Sequence, residues 1–336
     1  MVVPVRTDPE GKAGPTADQA RARAWRRVSR GLYVPSSVDS EVPEQRIVEA
    51  AACLPAAYGG VTGWAALRWA GATWFDGRDR LGAPQPVTLS IMRTEIRSQP
   101  GIAVSAERLP PRDLTTVRGL ATTSAVRAVC FEMRYCSDER RATVLLDMAL
   151  MHDVVSTDEV AAYVETLNGW TGVAKCRAAL AMCEENSWSA METVMRLAWT
   201  LDAGLPRPLC NRPVFDLAGR HVGTPDLLDA HAGLVGEYDG IVHLDQRRRG
   251  KDIDKEATYR SLGLEHVTMA AGDVASPSTT VVPRILQARA RALARRAEPR
   301  GWTVEPPRWW VDTSTVAARR GLSAEQRDRL LRYRAS

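Results

Sequence analysis

The chain has 336 residues, room for about two domains of ordinary size. Its 45% apolar and 25% charged residues are the balance of a globular protein, and no run of about 18 apolar residues offers a transmembrane helix. Net charge is +5, almost all from arginine, and the six cysteines are scattered with no C-x-x-C pair, which speaks against a zinc site or a disulfide scaffold. The start, Met1-Val-Val-Pro-Val-Arg6, lacks the order of a signal peptide. A cytoplasmic protein with reduced thiols is the expectation.

Residues 1 to 15, rich in Gly, Pro and charge, read as a mobile leader. Thr16 is placed to cap a short helix through Asp18 to Arg23. "WRRVSRGLYVPSS" then alternates around a Ser-Arg-Gly turn, the pattern of a hairpin. A short helix before a basic hairpin outlines the second half of a winged helix. Pro43 to Ala52 and Gly63 to Trp69 read as helices, with Pro43 at a first helical position and Thr62 as cap of the second. Pro86 to Met92 and Ile102 to Leu109 read as strands by alternation and β-branching. Four helices follow: Ser124 to Tyr135, Asp138 to His152, Thr157 to Leu167 and Gly172 to Glu184.

The pattern changes at Ser187. Ser189 to Leu201 is amphipathic, with apolar residues three and four apart, and Gly204-Leu-Pro206 stops it. Strands are expected over Pro213 to Leu217, His221 to Leu228 and Gly233 to Asp239. A charged helix from Lys251 to Leu262 and a strand from Glu265 to Met269 close the unit. Ser276 to Ala297 becomes a basic helix, and a final helix spans Ser323 to Tyr333 beyond the connector "GWTVEPPRWW".

The stretch "GLVGEYDGIVH" carries the chemistry. Alternate strand residues face one side, so Val235, Glu237 and Asp239 share a face and Leu234, Gly236 and Tyr238 take the other. Two carboxylates about 7 Å apart at their α-carbons repel unless water or a cation lies between them. Magnesium, which takes carboxylate oxygens and keeps several waters, is the natural cation, with manganese as substitute. A short turn lets Asp226 of "TPDLL" lie beside Glu237. Glu192 has two readings: the end of a Ser189-x-x-Glu192 capping box, or a fourth acid of the site. His243 reads as a surface histidine or as a group that moves protons.

"TPDLL…GLVGEYDGIVH", the charged helix and "SLGLEHVTM" together resemble the PD-(D/E)xK endonucleases, above all the very-short-patch mismatch-repair branch. The resemblance covers roughly 187 to 273 and implies metal-dependent phosphodiester hydrolysis on a helix, three strands, helix, strand core. It makes Asp226 the acid of the Pro-Asp motif and Glu237 the second acid. Glu192 matches the helix glutamate of many members, and His243 the histidine after the third strand. The family's lysine, two residues after the second acid, is Asp239 here, and Lys251 or Lys255 on the next helix is the candidate replacement. "RRVSRGLYVPSS", "GVTGWAALRWAG" and "GLATTSAVRAVCFE" resemble proteins related to AbiEi-type abortive-infection antitoxins, in which a small winged helix binds DNA.

The expected fold is therefore a multidomain α/β chain: a winged-helix-like segment at 1 to 40, a mixed α/β region at 41 to 120 and a helical region at 121 to 186. A restriction-endonuclease-like α-β-β-β-α-β domain at 187 to 275 and a basic helical extension at 276 to 336 follow. The expected function is that of a magnesium-dependent nuclease-like DNA-binding protein. Asp226, Glu237, His243 and Lys255 are its candidate catalytic groups, and Asp226, Glu237, Asp239 and Glu192 its candidate metal ligands. Arg26, Arg27, Arg30, Arg247, Arg248 and Arg249 are candidate phosphate contacts, since arginine-rich segments suit a polyanion. A non-catalytic DNA-binding regulator that keeps the nuclease-like scaffold is the alternative. DNA is the expected partner, with a homodimer or a toxin or defence partner open and no membrane partner.

Overall fold

A computed structural model describes residues 1–56, 58–92, 96–240, 255–295 and 299–332. His243, Arg247, Arg248, Arg249 and Lys251 lie outside the described residues. The chain is mixed α/β, and it forms two compact units that interleave in sequence: 1–136 with 158–176, and 137–157 with 177–336. Among the described residues no helix is long and apolar enough to cross a membrane.

In the first unit, strands β1 (Trp25–Ser29) and β2 (Leu32–Pro35) pair as the expected antiparallel hairpin. The helix before them is only a 3-10 turn, Gln19–Arg21. Helix α1 (Pro43–Ala51) starts on its proline, as N1 favours. Strand β3 (Gly60–Thr62) leads into α2 (Trp64–Ala70). Thr62 does not cap α2: it lies in β3 with its hydroxyl 2.9 Å from that of Thr123, and Gly63 is the capping position. Strands β4 (Val87–Ser90), β5 (Ile102–Ser105), β6 (Leu114–Val117) and β7 (Leu120–Thr123) complete a sheet in the order β5-β4-β3-β7-β6. Helix α3 (Ala125–Tyr135) is capped by Ser124, whose hydroxyl accepts the Arg127 N–H.

Helix α4 (Glu139–Met151) belongs to the second unit and is capped by Asp138. Helices α5 (Thr157–Val164) and α6 (Val173–Met182) contain the points where the chain passes between units. Helix α7 (Ala190–Leu197) then continues as a π-helical turn through Asp202. It is tied to α4 by a buried pair, Arg196 Nη2 to Asp147 Oδ2 at 2.5 Å, with Thr193 donating to the same oxygen at 2.8 Å.

Two sheets follow. Strands β8 (Leu209–Cys210), β9 (Val214–Asp216), β10 (His221–Gly223), β11 (Leu227–Asp229) and β12 (Leu234–Asp239) come in quick succession. Residues 255–261 form helix α8, and strand β13 (Glu265–Ala270) lies parallel to β12. The larger sheet has the order β13-β12-β11-β8. The smaller, β10-β9-β14, is completed by β14 (Trp302–Thr303), beyond helix α9 (Val281–Ala294). Helices α10 (Val316–Arg320) and α11 (Ala324–Leu330) end the described chain.

The strand expected over His221 to Leu228 is thus two strands in two sheets. Pro225 has no N–H to give a ladder, so the chain leaves one sheet at Gly223 and joins the other at Leu227. Asp226 sits at that changeover. The alternation expected in β12 decides its packing. Leu234 joins Met195, Trp199, Leu227, Met269 and Ile285 in one apolar layer. Val235 joins Val214, Leu228, Tyr259 and Leu264 in the layer on the other face. Gly236 permits the close approach of α7, since a Cβ there would meet Met195 Cε at 2.8 Å. The basic helix α9 directs its arginines inside the unit: Arg289 to Asp229, Arg291 to Glu265 and Arg284 to Asp273, and Arg295 just beyond its end also pairs with Glu265.

A candidate carboxylate site

In the β11–β12 ladder Leu227 pairs with Gly236, which leaves Asp226 across from Glu237 one step beyond it. Facing residues of antiparallel strands put their side chains on one side. Asp226 reaches further along the same edge, and its Oδ2 accepts the Tyr238 N–H at 2.7 Å. In the parallel pair β12–β13, Val235 pairs with His266 and Glu237 with Thr268. His266 therefore shares the Glu237 face, with Nε2 3.6 Å from Glu237 Oε2. Lys255, from the first described turn of α8, sets its ammonium against Glu237 Oε1. That contact is an ion pair without hydrogen-bond geometry, since Oε1 has no hydrogen-bond partner among the described residues.

Glu192 approaches from α7. Ser189 caps the helix by accepting the Glu192 N–H at 3.1 Å. The glutamate does not complete a capping box on Ser189. Its Oε2 instead accepts the Trp188 N–H at 2.8 Å and the Asn211 Nδ2–H at 2.6 Å. Asn211 in turn gives its backbone N–H to the Asp226 carbonyl at 3.0 Å. One asparagine thus links the helix acid to the strand acid.

The charges of this group are coupled. Burial, then the Asp226 charge, pushes the Glu192 carboxyl up to about 7 against the pull of Asn211 and Trp188. Burial also pushes Asp226 up to about 6, opposed by the Tyr238 N–H and reinforced by the Glu237 charge. Burial resists ionisation of Glu237 too, but His266 and Lys255 outweigh it and hold that carboxyl below its ordinary range. Tyr259, packed below, is raised by burial and by the charges of Glu237 and Asp226. Its hydroxyl is buried with no partner among the described residues.

Neither a protein-family model, nor a curated protein, nor a solved structure matches the chain. The reading of the site rests on its own geometry.

The structure brings Asp226, Glu237, Lys255 and Glu192 into one electrostatic group. Asp239 ends β12 exposed, and its charge acts on Tyr238. Arg26 is engaged with Glu49 through two hydrogen bonds of 3.0 and 2.7 Å. Arg27 donates to the Ser29 carbonyl, and Arg30 is exposed at the hairpin tip. Three residues escaped the sequence reading: His266, Tyr259 and Asn211. Alternation in "EHVTM" would have put His266 on the Glu237 face, given a parallel pairing that only the folded chain reveals. No three His, Cys, Asp or Glu side chains among the described residues gather as a ligand set for one ion. A cation here would rest on two carboxylates, which is a number magnesium accepts because it retains water. Asp226 and Glu237 fit that demand: both are hard oxygen donors, and Asp226, raised first by burial and then by the Glu237 charge, is a buried carboxylate whose charge a cation would compensate.

Proposed function

We propose that the chain is a magnesium-dependent nuclease-like DNA-binding protein whose β11–β12 edge hydrolyses phosphodiesters. The observation that carries it is the coupled group Glu192, Asp226 and Glu237, drawn from three elements and faced by Lys255. Asp226 and Glu237 would hold the ion, which when bound supplies a Lewis acid for the phosphate and lowers the pKa of a bound water. Lys255 takes the role of the lysine that Asp239 displaces. It comes from the helix instead of the strand, and from its ion pair with Glu237 the ammonium would turn to charge developing on the phosphate. His266 orients Glu237, and Asn211 fixes Glu192. The restriction-endonuclease-like core belongs to this proposal and is supported by the order α7, strands, α8, β13, with β13 parallel to β12.

The test is cleavage or nicking of varied DNA substrates with magnesium or manganese. Wild type should act and Glu237→Ala should not; equal background from both would end the catalytic reading. A second reading, a DNA-binding regulator without turnover, is favoured by Asp239 standing at the lysine position and by the basic β1–β2 hairpin. That hairpin borders a cleft of about 880 Å³ lined in part by Arg26, Arg27, Arg30 and Arg46. This reading expects salt-sensitive DNA binding that survives Asp226→Asn and disappears when residues 1 to 40 are removed.

A further inference from the structure

The second unit contains a cavity of about 490 Å³ that the carboxylate chemistry does not use. It is within the range of small-molecule sites. Three indoles line it, Trp188, Trp309 and Trp310, together with the amides of Asn186 and Asn211 and the cation of Arg329. Trp309 and Trp310 of the C-terminal connector line it together with residues 311 to 314. Trp310 is fixed edge-on against buried Phe215, with ring centroids 5.2 Å apart at 83°, and lies 5.2 Å from His221. Trp309 is different: it touches Trp310 edge-on at 5.6 Å, yet 62% of it is exposed. An open indole beside a fixed one offers a stacking surface that costs little to desolvate and little to order.

The cavity and the carboxylate site share a wall. Asn211 lines the cavity while its Nδ2 donates to Glu192 and its backbone N–H to the Asp226 carbonyl. Trp188 lines it while its backbone N–H donates to Glu192 and its indole N–H to Asn186 Oδ1. Both partners of Asn211 Nδ2 are acceptors, the Asn186 carbonyl and Glu192, so the amide orientation is settled and Oδ1 is the oxygen. That oxygen is buried with no hydrogen-bond partner among the described residues. A flat ring would stack on the indoles.

We propose that this cavity takes a single nucleobase, whose sugar-phosphate then lies toward Glu192 and Asp226. The inference deepens the nuclease reading and rests on it for the place of the phosphate. Stacking selects a π-system of any sequence, and Arg329 adds a cation for the backbone. The base comes either from a free nucleotide or from one unstacked out of a strand. The chemistry is the same, and the experiment separates the sources.

The experiment titrates the full chain, without metal, into 2-aminopurine deoxynucleoside monophosphate and into a single-stranded oligonucleotide carrying one 2-aminopurine, following fluorescence. Saturable quenching is expected, competed by dAMP and not by deoxyribose 5-phosphate. Quenching of the mononucleotide identifies a nucleotide site; quenching of the oligonucleotide alone identifies a base held in a strand. Trp309→Ala should weaken binding roughly 5- to 150-fold, the range for loss of one base–aromatic stack, and Trp309→Phe should recover most of it. Equal competition by deoxyribose 5-phosphate, no quenching of either probe, or unchanged binding in Trp309→Ala would overturn the pocket. Because no metal is present, a failure of cleavage leaves this readout intact. Asp226→Asn, which the nuclease reading requires to be inactive, should still quench.

Discussion

Glu192→Gln separates the acid's charge from its shape. In the folded chain the carboxyl is pushed from 4.5 up to about 7 by burial and by Asp226. Ionising it there costs on the order of 3 kcal/mol more than in the unfolded chain, at about 1.4 kcal/mol per pKa unit. The sign follows from proton counting: between about pH 4.5 and 7 the folded chain holds the proton that the unfolded chain has released. The contribution is fully present below the unfolded value and is lost as pH rises through the folded one. Glutamine keeps an oxygen for the Trp188 and Asn211 donors and carries no charge, so it keeps the stability that the glutamate loses. Thermal melts of wild type and Glu192→Gln at pH 5 and pH 8 should therefore diverge. At pH 8 the variant should melt higher, by roughly 5–10 °C relative to its standing at pH 5, since pH 5 already lies above the unfolded value and about 2.5 kcal/mol is left to lose, at about 2–4 °C per kcal/mol for a unit of this size. Asp226→Asn removes the second cause of the shift and should narrow the divergence. A wild-type-minus-variant difference that stays flat across this range would refute the buried, coupled carboxyl.

Other consequences follow from neighbouring contacts. Asp147→Ala strands the Arg196 guanidinium in a site where the two side chains are 2% and 0% exposed, and should cost about 3–5 kcal/mol in chemical denaturation. Gly223→Ala places a Cβ 2.6 Å from the hydroxyl of fully buried Tyr259 and should cost about 1–3 kcal/mol by the same assay. Lys255→Met should lower the rate of metal-dependent cleavage by about 100-fold or more while leaving the ion bound, as read by single-turnover kinetics at saturating magnesium.

Local signals were legible in the sequence wherever the chain's own chemistry decides the structure. The helices that begin at Ser124, Asp138 and Ser189 are capped by those side chains. The β1–β2 hairpin and the two-faced alternation of β12 followed from apolar spacing. Sheet membership was not legible. Pro225 divides one apolar run between two sheets, and β8 and β14 are two residues each, too short to leave a period. β6 and β7 were given no element in sequence, and are strands that pair with each other while β7 pairs with β3. The acids Asp226 and Glu237 were visible because a short turn joins their strands. His266, Tyr259 and Asn211 were not, because each reaches the site by a contact that sequence spacing does not encode. The arginine surplus had a use besides phosphate: Arg319 and Arg327 bind Asp153, and arginines of α9 bind Asp229, Glu265 and Asp273.

The central claim is that Asp226 and Glu237 hold one divalent cation. Manganese binding to the full chain at pH 8, followed by the loss of its free-ion paramagnetic resonance signal, tests it most directly. The account predicts one site per chain that magnesium displaces and that Asp226→Asn and Glu237→Gln each abolish. Manganese bound equally by wild type and both carboxylate variants, or by none of them, would contradict it.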